Sequence, residues 1–229
     1  LGVPLPDMGA SEHAYGLIMK ALYKKAVTKE GSRIDVSMFQ STVSWLTVPI
    51  NQTKSYSNKT TRRGNTHEFF APVSVYKTKD GYVYIAVGND IQWERMLKIN
   101  GFESLGKPEY SRNTGRINDV ENLNIAIEEV TKGYTTDDII ALFTAATIPI
   151  SKVNTIEEVL EDPYVKDEIL FSVDEKTGMT IYLAPLPYTT SYVKSLNKRL
   201  AFPPRFGEQN EEIYVNRLGY GKEKLNEWK

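Results

Sequence analysis

The chain has 229 residues, no cysteine and two histidines, with 41% apolar and 25% charged residues and a formal charge of −1. That length can bury a sizeable core as one large domain or two small ones, in an ordinary globular composition. The charge gives no general attraction to nucleic acid or an anionic membrane, no apolar run is long enough to span a bilayer, and the missing thiols exclude a cysteine nucleophile, a cysteine-ligated zinc and an iron–sulfur cluster.

The run from Gly2 to Ala10 places Asp7 at a tight strand-to-helix corner, and residues 8–25 carry Ala10, Ala14, Leu17, Ile18, Ala21 and Leu22 at helical spacing. Thr28-Lys29-Glu30-Gly31 is a turn, Arg33–Val36 a short strand, and Ser37 the cap of a second helix reaching about Leu46. The polar, aperiodic stretch 47–66 is expected to be a linker. A hairpin follows, with strands at 74–78 and 82–87 and Asp80-Gly81 expected to supply positive φ at its turn. Helices are expected over 90–100, 119–131 and 135–146, a short extended piece over 148–153, and a short helix over 155–161 that stops before Pro163. A second hairpin joins 169–174 to 179–184. After a proline-interrupted stretch, a final amphipathic helix runs from about Asn210 to Leu218, with Gly219 as its stop.

Several chemistries lack their residues. There is no G-x-S-x-G elbow, no G-x-G-x-x-G fingerprint and no P-loop. What remains is chemistry on carboxylates, hydroxyls, basic side chains and backbone amides, and no metal is called for. The absence of disulfides favours a cytoplasmic location. Read from residues alone, Asp7 is a helix N-cap or a reactive carboxylate, Met38 fills a core, and Arg62 and Arg63 are a solvated pair. Gly64, Asn65, Thr66 and His67 then form a turn. The acidic run Glu157, Glu158, Glu161 and Asp162 reads as the exposed side of a short helix. His13, six residues past Asp7, falls on a different helix face at about 100° per residue and is not an obvious base for it.

Motifs in fixed order run through nearly the whole chain: Pro4-x-Pro6-Asp7 before the small-residue helix; Thr28-x-x-Gly31 followed by Ile34-Asp35-Val36-Ser37-Met38; and Tyr76-x-Thr78-x-Asp80-Gly81-Tyr82-Val83. They continue with Val87-Gly88-Asn89 and Trp93, with Ile148-Pro149 leading to Val153, Thr155, Glu157-Glu158-Val159 and Asp162-Pro163, and with Pro203-Pro204-x-Phe206-Gly207-Glu208. Together they resemble the class III coenzyme A transferases, the CaiB/BaiF family. Two positions depart from that pattern: Lys29 stands in the first glycine's place of Thr-Gly-x-Gly-Gln, and Gln209 replaces the histidine of Gly-Glu-His.

The resemblance implies an α/β fold made of part of a large domain (1–60), a smaller α+β domain (64–168) and a returning linker with a C-terminal helix (169–229), joined by extended segments. It implies transfer of coenzyme A from an acyl-CoA donor to a carboxylic acid acceptor, with Asp7 as nucleophile and an aspartyl anhydride and an aspartyl-CoA thioester as intermediates. Negative charge is favoured at a helix N-terminus, where amides could also stabilise an oxyanion. Met38 would meet the pantetheine arm of coenzyme A, Arg62 and Arg63 its phosphates, and Gly64, Asn65, Thr66 and His67 would form the loop closing over the intermediate. Relatives are longer and form interlocked dimers. The expected partner is therefore a second copy or a missing N-terminal half, and the isolated chain is expected to be an inactive fragment or one part of a split enzyme. Two alternatives remain: an α-methylacyl-CoA racemase-like isomerase using the same aspartate as base, and a non-catalytic scaffold or partner-binding piece.

Overall fold

The computed structural model describes residues 2–228. The chain divides into two compact units, Leu1–Glu68 and Phe69–Lys229.

The first unit is helical. α1 spans Leu5–Thr28, α2 Met38–Ser44 and α3 Thr47–Ser55. Pro6 occupies the second helical position of α1, where a missing N–H costs least. Ser37 caps α2 as expected, its hydroxyl accepting from the Gln40 amide at 3.2 Å. Two expectations fail here. Residues 33–36 form no strand, because no neighbouring segment offers them a ladder among the described residues. Residues 47–55 are a helix rather than linker: Thr, Gln, Lys and Asn tolerate helix well enough, and only the missing apolar stripe had argued against it.

Only Gly9 and Ser41 are buried among residues 2–68, while Ile18, Leu22, Tyr23, Val27, Phe39 and Trp45 lie exposed. A helix with apolar residues on its solvent sides is one that burial should cover.

The second unit holds the core. β1 (Val73–Lys77) and β2 (Tyr82–Ala86) form an antiparallel hairpin, and β3 (Ile150–Lys152) adds antiparallel to β2. Strict alternation buries Val83 and Ile85 and exposes Tyr82 and Tyr84. The hairpin turn needs no left-handed residue, since neither Asp80 nor Gly81 has positive φ. Its bonds are Thr78 N–H to the Gly81 carbonyl and Gly81 N–H to the Thr78 hydroxyl. A turn closed partly by a side chain thus replaces the expected turn with positive φ at Asp80-Gly81.

Around this sheet lie α4 (Asp90–Met96), α5 (Asn113–Asn118), α6 (Val120–Thr131) and α7 (Thr136–Ala145). Trp93, Met96, Phe102, Leu123, Ile127, Ile139 and Phe143 pack against Tyr76, Val83 and Ile85. Buried Arg116 of α5 ties the layer together. Its Nε donates to the Ala71 carbonyl, Nη1 to the Tyr110 carbonyl and Nη2 to Asp90 Oδ1, at 2.7–2.8 Å.

α8 (Ile156–Glu161) opens with a capping box between Thr155 and Glu158, and Glu157, Glu158 and Glu161 are exposed as expected. β4 (Leu170–Val173) pairs antiparallel with β5 (Thr180–Leu183) and parallel with β6 (Arg199–Leu200), which follows α9 (Ser191–Ser195). Glu211–Arg217 is a π-helical turn rather than an α-helix, closed by Leu218 N–H to the Ile213 carbonyl. Gly219, at φ +74°, stops it as expected, and α10 (Lys222–Glu227) follows.

Candidate active site

Asp7 is not the cap of α1 but its third residue. The cap position is Pro4, without a side-chain bond, and residues 2–4 form no strand. Asp7 is exposed, and the Ser11 hydroxyl donates to its backbone carbonyl at 2.9 Å. The amides nearby offer less than the sequence promised. Leu5 N–H donates to the Val3 carbonyl and Met8 N–H to the Pro4 carbonyl, and Pro6 has no N–H. An oxyanion at this helix end would draw at most on the amide of Asp7 itself.

His13 does lie on another face. Its Nε2 is 3.3 Å from Ser44 Oγ and its ring tilts against Trp45 at 6.5 Å. Ser44 donates its hydroxyl proton to the Ser41 carbonyl at 2.7 Å, so His13 Nε2 is the donor of that contact. The pair thus lacks the serine-to-histidine hydrogen bond of an activated serine nucleophile. A hollow of about 230 Å³ beside them is lined by His13, Asp35, Ser37, Gln40 and Ser44, and Asp7 is not among its lining residues.

Met38 opens α2 and is 47% exposed. Arg62 and Arg63 are exposed in an irregular segment, and Thr66 N–H donates to the Arg63 carbonyl at 3.0 Å across the turn. Gly64 takes φ +59°, with open space where a Cβ would stand, so conformation and not packing favours glycine there. Asn65 and His67 are exposed and Thr66 half-buried. Among the described residues no hydrogen bond or ion pair joins Asp7 to Met38, Arg62, Arg63 or Gly64.

The motif positions outside this unit are largely structural. Asn89 caps α4, accepting from the Gln92 amide at 2.9 Å. In the Pro203–Glu208 motif, Glu208 Oε2 accepts from the Arg205 amide, Arg205 Nη2 donates to Asp174 Oδ2 at 2.7 Å, and Gly207 has φ +71°. Lys29 replaces the pattern's glycine at a demanding position. It lies at φ +65° as the C-terminal cap of α1, so the missing glycine is one that the backbone conformation asks for.

Sequence reasoning missed one feature near Asp7. Gly9 packs so closely on α2 that a Cβ there would sit 2.5 Å from Trp45 Cη2 and 3.1 Å from Ser41 Oγ. A glycine inside a helical pattern was the available signal.

The sequence profile of CoA-transferase family III matches residues 1–210. The human succinyl-CoA:glutarate CoA-transferase is 26% identical over 227 residues, covering 99% of this chain and 52% of the human protein. The formyl-CoA:oxalate CoA-transferase of Streptomyces coelicolor is 24% identical, covering 98% of this chain and 58% of that protein. Among solved structures, a CaiB/BaiF family protein from Brucella suis superposes with a TM-score of 0.72 at 24% identity, covering 94% of this chain and 56% of that one. The chain spans about half the length of the curated relatives it matches.

Proposed function

This chain belongs to CoA-transferase family III, and we propose that Asp7 is the nucleophile of an enzyme moving coenzyme A from an acyl-CoA to a carboxylic acid. The observation that carries this reading is an exposed carboxylate in the first turn of a long helix, inside the family-matched segment. The Asp7 carboxylate attacks the thioester carbonyl, the C–S bond of the tetrahedral adduct breaks, and coenzyme A leaves as a thiolate, with a mixed anhydride on Asp7 remaining. The thiolate attacks the Asp7 acyl carbon and releases the donor acid, leaving an aspartyl-CoA thioester. The acceptor carboxylate then attacks that thioester, forming a second anhydride and freeing the thiolate. The thiolate takes the acceptor's acyl group and restores Asp7.

Met38, Arg62 and Arg63 are proposed to meet coenzyme A, and the Gly64–His67 loop to shield the anhydride from water. The left-handed Gly64 and the exposure of both arginines support these roles. The open apolar surface of α1 to α3 supports a completing partner, either a polypeptide matching the rest of the relatives' length or a second copy. For the whole enzyme we divide the chain as 1–60, 64–168 and 169–229, and the break between the two compact units lies near the first joint.

The test is mass spectrometry after incubation with acyl-CoA and completing polypeptide. A hydroxylamine-sensitive adduct on Asp7, absent in Asp7→Asn, is expected, and the chain alone should transfer nothing. Solvent deuterium at the substrate α-carbon without any adduct would instead assign the racemase chemistry.

A further inference from the structure

We propose that Gly9 and Trp45 form a notch that positions Asp7, making Gly9 a positioning residue for the transferase chemistry; this rests on Asp7 being the nucleophile. Glycine is unfavourable inside a helix relative to alanine, so a helical glycine calls for a reason in its surroundings. α1 contains two, and they differ. A Cβ at Gly16 would meet nothing within 4 Å, whereas one at Gly9 would lie 2.5 Å from Trp45 Cη2, 2.8 Å from Trp45 Cζ2 and 3.1 Å from Ser41 Oγ. The two indole distances are shorter than atoms tolerate and the third is tight, so the Trp45 ring lies where it does because position 9 has no side chain.

The contact continues one turn along, where His13 lies against the same Trp45 ring and reaches Ser44. Trp45, the residue ending α2, thus spans two turns of α1. Asp7 lies two positions before Gly9, about 200° around the helix. Trp45 therefore backs the turn whose opposite side carries the carboxylate. Filling the notch forces either the indole outward or the turn away from α2. Moving the turn shifts the nucleophile, and a misplacement near 1 Å can cost about 100-fold in rate.

The experiment measures kcat and KM for acyl-CoA in the enzyme assembled with its completing polypeptide. Gly9→Ala is expected to lower kcat at least 10-fold with a smaller change in KM, because Arg62 and Arg63, proposed to hold the coenzyme, lie outside the notch (an effect of about 1.4 kcal/mol on the barrier). Trp45→Phe withdraws the two clashing ring atoms, and the Gly9→Ala/Trp45→Phe pair is expected to recover most of the lost kcat. Gly16→Ala serves as the open-space control. Thermal denaturation separates positioning from folding, since a structural defect alone would lower Tm and amount of active enzyme without rescue by the shorter ring. Unchanged kcat in Gly9→Ala, or a double variant no better than the single, overturns the notch while an inert Asp7→Asn leaves the nucleophile standing. An active Asp7→Asn, or an assembled wild type without transferase activity, overturns both.

Discussion

Lys29 carries a conflict between side chain and backbone. Its φ of +65° crowds Cβ against the carbonyl, although its ammonium donates to the Ala26 carbonyl at 3.0 Å and partly offsets the strain. Lys29→Gly is expected to stabilise the chain by about 0.5–1 kcal/mol, the gain reduced by glycine's freedom in the unfolded state, as read from urea unfolding. Arg116 is the opposite case, a fully buried guanidinium whose three donor nitrogens serve three separate acceptors, with its plane 5.1 Å from the Trp93 ring. Lysine keeps the charge but cannot span those acceptors. Arg116→Lys should therefore cost about 3–5 kcal/mol in the same measurement, as the Ala71 and Tyr110 carbonyls lose their buried donors while Asp90 keeps only Arg112 and the Asn113 amide. Arg116 did not stand out in the sequence, and Lys29 did so only as a departure from the family pattern, because φ and burial are properties of the folded surroundings.

At the scale of elements, the hairpins were legible because period-two alternation needs only one strand's sequence, as Tyr82 to Ala86 show. What fastens the first hairpin was not. Asp80 Oδ1 accepts from the Thr136 amide and hydroxyl, both at 2.8 Å, and from Thr78 Oγ1 at 3.2 Å, tying the turn to the first residue of α7. These bonds, led by the Thr136 hydroxyl, hold the Asp80 carboxyl below its ordinary range. A carboxylate so depressed stabilises fully above the unfolded value of about 4 and loses that contribution as pH falls through its lower folded value. Asp80→Asn should accordingly lower the urea midpoint at pH 7, and the gap to wild type should narrow progressively as pH falls below the unfolded value of about 4. A gap that persists undiminished in acid would contradict this account. α3 was hidden for a related reason: its polar residues give no apolar stripe, and the stripe was what the sequence reading required.

The whole molecule is uneven. The second unit buries a continuous core from Ala71 to Ile148, while the first leaves Phe39 77% and Tyr23 75% exposed. No helix among the described residues is long and apolar enough to cross a membrane. The proposed cover for the exposed apolar residues of the first unit is the completing polypeptide. The isolated chain should bind an apolar dye such as ANS and self-associate with concentration, and the completing polypeptide should suppress both. Dye binding and sedimentation that do not change on adding that polypeptide would count against this cover.

The sequence by itself determined the family, because motifs such as Ile148-Pro149 to Asp162-Pro163 retain their order and spacing whatever the chain does in space. It also determined most strands and helices of the second unit, since an amphipathic period is a local property. The three-dimensional arrangement alone decided that Asp7 sits inside its helix, that Lys29 is left-handed, and that Gly9 receives an indole from thirty-six residues away in the chain. Each depends on which atoms approach through space, and a linear order of residues does not encode that distance residue by residue.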